Sequence, residues 1–205
     1  MNNIHPTAIV DKSVTLGSNN YVGPYCYIRG NTIIGDNNRF EAFCSIGTPP
    51  QDRIANLNNV ETSVIIGNSN IFREYTQVHN GTIHNTLVGN NCMFLVNTHI
   101  SHDSIIEDSV TIGNNSVLGG HTHVMCGSNI GLSVIIHQYS IIGAYSMLGM
   151  SSVVTKTSTI EPGNIYLGSP AKFLKLNKVG LERNNITTKE LLIHISNYNK
   201  LKNKI

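Results

Sequence analysis

The chain has 205 residues, 40% of them hydrophobic and 13% charged, with no Trp and a formal net charge of +2. That is enough chain for one domain with a sizeable core, and its scattered charge gives no concentrated basic face for nucleic acid. No apolar run approaches the roughly 18 residues of a membrane span, and Met1 to Pro6 lack the regions of a signal peptide, so the cytoplasm is the expected location.

From Ile4 onward a large apolar residue recurs every six positions: Ile4, Val10, Leu16, Val22, Ile28, Ile34, Phe40 and Ile46. A second phase holds Ile66, Phe72 and Val78, and a third runs from Val88 to Ile160 without a break, for 24 anchors in all. Small or β-branched residues such as Cys26, Thr32, Cys44, Cys92, Thr98 and Ser104 follow four positions after an anchor. Gly and Asn-Asn pairs (Asn19-Asn20, Asn37-Asn38, Asn90-Asn91, Asn114-Asn115) supply corner backbone. A chain that turns every six residues makes a three-walled coil of 18 residues, so the fold class is an all-β parallel β-helix of hexapeptide repeats with about eight coils. An ordinary β-sandwich competes poorly with three clean phases. The four cysteines have no CxxC or zinc spacing and read as packed, reduced thiols.

The phase breaks predict two loops leaving the coil, near 47–63 and 81–87. Residues 1–168 are expected to form the coil and 169–205 a C-terminal extension with a helix near 188–203. Thr187 and Glu190 form a capping box, Ile186 staples against Leu191, and Leu191, Ile195, Tyr198 and Ile205 make the apolar stripe. Lys200, Lys202 and Lys204 read as a solvated helix end.

Six of the nine histidines fall between His79 and His123. The 18-residue period stacks position 102 under 120 and 120 under 138, placing His102, Gly120-His121 and His137-Gln138 along one edge. Imidazoles along a groove suit acyl transfer, in which His removes a proton from a hydroxyl or amine attacking a thioester. Each also has a plainer role: His5 and His194 as surface residues, His79 and His84 as loop neighbours, His99 as a corner hydrogen-bonder.

His99-Ile100-Ser101-His102-Asp103 resembles the His-Ile-Ala-His-Asp signature of the acyl-carrier-protein-dependent UDP-N-acetylglucosamine O-acyltransferases of lipid A biosynthesis. So do Ile46-Gly47 with Gln51-Asp52, Arg73-Glu74 leading to His79 and Gly81-Thr82, Leu118 to His121, and His137 through Ala144. The resemblance implies a left-handed coil, a homotrimer with sites shared between chains, and an acyltransferase. It implies His102 as general base, Asp103 as its orienter if a corner turns it back, and Gly120 N–H toward the thioester oxyanion. His99, His121, His137, Gln138, Asp52 and Arg183 resemble substrate-binding groups, and Met150 falls at the position that limits acyl length. No bound metal or permanent cofactor is implied. The donor is acyl-carrier-protein phosphopantetheine or CoA, and the acceptor a nucleotide sugar.

The chain departs from that pattern at Asn80 (Arg in the family), Ile54 (Lys) and Val179 (acidic). Gly168-Ser169-Pro170-Ala171-Lys172 is more like acetyl-CoA-dependent sugar acetyltransferases, leaving acetyl transfer to a nucleotide amino sugar as the alternative. A zinc hydratase of similar fold needs three converging imidazoles, and only His79 and His84 have its five-residue spacing. An ice-binding solenoid would show a flat Thr ladder, which the sequence lacks.

Overall fold

The computed structural model describes residues 1–53 and 62–203. Short strands, most of two residues, stack in parallel into three walls. The first wall runs from Asn3–Ile4 through Arg39–Phe40 and Thr111–Ile112 to Asn164–Leu167. The second includes Ser45–Thr48, Gln77–His79, His99–Ile100, Val117–Leu118, Ile135–Ile136 and Val153–Val154. The third includes Ile105–Ile106, His123–Val124 and Ile141–Ile142. Register follows the 18-residue period, as in Asn3↔Tyr21↔Arg39 and His99↔Val117↔Ile135↔Val153.

The period sends the anchors inward from Val22 onward, where full burial of each is worth about 1.5–3 kcal/mol, while Ile4 in the first coil stays exposed. Val22, Ile28, Phe40, Ile100, Leu118 and Ile136 are buried in one continuous core. Phe40, Phe72 and Phe94 stack as an internal column with ring centroids 4.7 Å apart. At one corner Asn20, Asn38 and Asn70 are buried, and each side-chain oxygen accepts the next coil's backbone N–H at 2.8–2.9 Å. Corner backbone at Asn19, Asn37, Asn91 and Asn115 is left-handed, a conformation Asn tolerates. Tyr139, His121 and Asp103 adopt it too, Asp and His being among the residues enriched there.

The first loop follows Thr48 and returns at Val64, and Ile54 falls outside its described residues. The second is shorter than expected. Thr86–Val88 already lies in the third wall, paired with Val64–Ile66, so the loop closes at Asn85 rather than Leu87.

The last strand of the coil, Asn164–Leu167, ends beside Gly168. A strand the sequence reading lacks, Lys172–Leu176, then folds back antiparallel on Asn164–Leu167. Helix α1 (Lys178–Arg183) follows, capped by Asn177, whose Nδ2 also donates to the Tyr145 carbonyl at 2.8 Å. Helix α2 (Thr188–Lys202) opens on the expected capping box of Thr187 and Glu190. It packs on its own coil: Tyr198 and Leu201 join Met125, Ile141 and Ala144. His194 is only half-exposed, 3.8 Å from Cys126 Sγ and edge-on to Tyr145. Lys204 and Ile205 lie outside the described residues.

Candidate active site

The corner between the second and third walls carries His102, Gly120 and Gln138 one above another, since each follows a paired strand residue by three positions. His102 Nδ1 lies 2.6 Å from Asp103 Oδ2. The contact suits the tautomer with a proton on Nδ1 and the lone pair on Nε2. Neighbouring strand residues would point apart, but Asp103 has φ 58°, and that left-handed corner turns its carboxylate back beside the ring.

Asp103 is held by the second loop. Its carboxylate accepts the backbone N–H groups of Thr82 (2.9 Å), Ile83 (2.9 Å) and His84 (2.7 Å), and the Thr82 hydroxyl (2.7 Å). Its own N–H donates to Thr86 Oγ1 at 3.0 Å. Burial opposes its charge, yet these donors and His102 outweigh burial and hold the carboxyl well below its usual range. Gly81 makes the loop possible, because a Cβ there would sit 1.6 Å from the His84 carbonyl oxygen.

Gly120 faces the imidazole, and a Cβ on it would come within 2.6 Å of His102 Nε2. Among the described residues no acceptor takes its N–H. His121 crosses His102 edge-on at 5.2 Å and stacks on Tyr139 at 4.4 Å. Burial lowers its proton affinity, against the pull of Asp103 and, more weakly, Asp52. His137 is exposed, its Nδ1–H donating to the Gln138 carbonyl at 2.8 Å, and Gln138 is exposed beside it.

His99, on the outer face of the second wall, lies between Gln77 Oε1 at 3.2 Å and Ser101 Oγ at 3.1 Å. Burial pushes its pKa down to about 4. The sequence reading gave His79 only a loop-border role, but its ring is buried 4.9 Å from that of His99. Its Nδ1–H donates to the Pro49 carbonyl at 2.9 Å, so Nε2 is a buried acceptor without a partner among the described residues, as is Asn80 Oδ1. Two buried acceptors of neighbouring residues are thus open to a donor. The hexad anchor one residue earlier was the available signal, since it places His79 at the same corner.

Two expected site residues lie elsewhere on the chain. Met150 is 70% exposed at the corner between the first and second walls. Arg183 lines a separate 390 Å³ cleft on the first wall with Thr111, Asn129 and Asn177. Among the described residues, His102, Asp103 and His121 are the one set whose possible metal-ligand atoms converge, within 4.8 Å. His79 and His84 are not part of it.

An imidazole beside a buried carboxylate, at the corner of a hexapeptide coil, fits a hexapeptide-repeat transferase. The family described as bacterial transferase hexapeptide (six repeats) matches residues 3–48 and 85–120. The acyl-(acyl-carrier-protein)–UDP-N-acetylglucosamine O-acyltransferase of Aliarcobacter butzleri is 36% identical over 204 residues, covering 89% of this chain and 77% of that protein. The enzyme of the same name from Rickettsia bellii is 39% identical over 122 residues, but the match spans only 49% of this chain and 43% of the relative. Among solved structures, the LpxA of Acinetobacter baumannii superposes with a TM-score of 0.80 at 32% identity, over 95% of this chain and 82% of that one. The Francisella novicida UDP-N-acetylglucosamine acyltransferase gives 0.81 at 26% identity, over 95% and 78%. The chain belongs to the family of acyl-(acyl-carrier-protein)–UDP-N-acetylglucosamine O-acyltransferases and shares its left-handed β-helix.

Proposed function

We propose that the protein transfers an acyl group from a pantetheine thioester, in the first instance acyl carrier protein, to a hydroxyl or amine of a nucleotide sugar such as UDP-N-acetylglucosamine. The observation that carries this reading is the His102–Asp103 contact of 2.6 Å, with Asp103 fixed by three backbone N–H groups. His102 Nε2 takes the proton from the acceptor as its oxygen or nitrogen attacks the thioester carbonyl. Gly120 N–H donates to the oxyanion of the tetrahedral intermediate. Collapse breaks the C–S bond, and the departing thiolate receives the proton from His102. An ester or amide and a free thiol result.

His79 Nε2 and Asn80 Oδ1 receive donors of the acceptor sugar, and His99, His121, His137, Gln138 and Asp52 line its approach. Met150 and Arg183 act from a neighbouring chain of a homotrimer, Arg183 on the nucleotide and Met150 at the far end of the acyl chain. Met150 is bulky and apolar, so it shortens the accepted chain, each excluded methylene forgoing about 0.8 kcal/mol of burial.

A donor series tests the reading: acyl carrier protein and CoA, each loaded with acetyl to long acyl groups, offered with nucleotide sugars to wild type and Met150→Gly. Turnover is expected from acyl carrier protein with short or medium chains, shifting longer in Met150→Gly. Turnover from acetyl-CoA alone would establish the acetyltransferase alternative. An unchanged preference in Met150→Gly would remove Met150 from length control.

A further inference from the structure

A cleft of about 280 Å³ opens where the end of α2 meets the same corner that carries His102. It is lined by Tyr139, Lys156, Thr157, Ser158, Tyr198 and Lys202, among others. Among the described residues no carboxylate lines it, so two ammonium groups and a cluster of hydroxyls face one small space. The Tyr198 hydroxyl, its pKa pushed up to about 12 by burial, stays a donor. Tyr139 belongs to both regions, stacking on His121 while it lines the cleft.

The coil also sets how far apart they are. His102, Gly120, Gln138 and Lys156 each follow a residue of the paired set His99, Val117, Ile135 and Val153 by three positions. Lys156 therefore stands three strand spacings from His102, about 14 Å along the corner. The pantetheine arm, with two amides and a mercaptoethyl end, spans about as much as four extended residues, or about 14 Å. A thioester carbon at His102 and Gly120 thus leaves the other end of the arm beside Lys156.

We propose that Lys156 and Lys202 hold the phosphate of the donor's phosphopantetheine, the group common to acyl carrier protein and CoA. The inference rests on the thioester-transfer reading and adds to it a phosphate site made by residues of the last coil and of α2. Phosphate is the chemistry that fits: two cations supply charge-assisted bonds, and Thr157, Ser158 and Tyr198 hydroxyls donate to the remaining oxygens.

Binding and turnover test it separately. Calorimetry would compare 4′-phosphopantetheine, pantetheine and inorganic phosphate on wild type and on the double variant Lys156→Gln, Lys202→Gln, both positions being exposed. Phosphopantetheine is expected to bind wild type about tenfold to a hundredfold tighter than pantetheine, an advantage falling to within a few-fold in the variant. Steady-state KM with acyl-phosphopantetheine, acyl-CoA and acyl carrier protein should rise in the variant, and the ratio of these donors tells which source wild type prefers. Equal binding of phosphopantetheine and pantetheine by wild type would overturn the site, as would an advantage kept by the variant. Inorganic phosphate binding as tightly as phosphopantetheine would reduce the cleft to a general anion site and overturn it too. If the binding advantage holds but no thioester is turned over, phosphate recognition stands and the acyl-transfer reading falls.

Discussion

His99 and His102 lie three positions apart and meet opposite environments. His102 faces a carboxylate, whereas His99 is half-buried between Gln77 and Ser101 with a pKa down to about 4. In the unfolded chain His99 takes a proton near pH 6.5, and the folded chain refuses it until about 4. The unfolded state therefore binds more protons between those values, and stability is lost as pH falls through that window. The expected loss is on the order of 1–2 kcal/mol, after allowance for partial exposure. The urea midpoint should fall between pH 7 and pH 4.5, and His99→Gln should shrink the fall. A midpoint equally pH-dependent in His99→Gln would show that another group carries the effect. The sequence showed that His102, Gly120 and Gln138 share one edge, because the period alone stacks them, and that His99 precedes His102 by three residues in the same coil. It did not show which imidazole is neutralised by burial, since that depends on how His99 packs against the neighbouring coil and His79. The role of Asp103 was legible only as a condition, that a corner turn it back, and the left-handed backbone meets that condition.

At the scale of elements, the loop from Asn80 to Asn85 shapes the site more than any strand. It adds four residues to one coil, as Val88 pairs with Ile106 by the normal 18 but Phe72 pairs with Phe94 by 22. Those residues bring three N–H groups onto Asp103. Gly81→Ala should open the loop, because its Cβ would meet the His84 backbone. Asp103 then loses donors while still buried, at a cost of about 1–3 kcal/mol, and turnover should fall at least tenfold with little change in KM. Wild-type turnover and melting in Gly81→Ala would show that the loop does not hold Asp103. The phase slip announced this loop, but nothing local announced its target. The capping box made α2 legible to within a residue. The strand Lys172–Leu176 was not legible: all five residues are exposed, so no buried alternation marks it.

Across the whole molecule, the fold was legible because one period governs three walls and repeats through the chain. The distribution of the site was less so. Met150 and Arg183 lie at a different corner and wall from His102, which only neighbouring chains would reconcile. On the outer face of the second wall exposed Val117 and Ile135 stand in successive coils, an apolar patch suited to a threefold contact. Light scattering is expected to give three times the 22.4 kDa chain mass at micromolar concentration. A monomer would remove Met150 and Arg183 from the site.

The central claim is that His102 is the proton acceptor in acyl transfer. Its side chain lies at a corner outside the packed prism, so His102→Ala should keep the fold while losing the chemical step. The direct measurement is single-turnover transfer from acyl carrier protein to UDP-N-acetylglucosamine by wild type and His102→Ala, with circular dichroism to confirm equal folding. The rate is predicted to drop by about 10²–10⁴-fold. A rate within a few-fold of wild type would contradict the account and take the base away from His102.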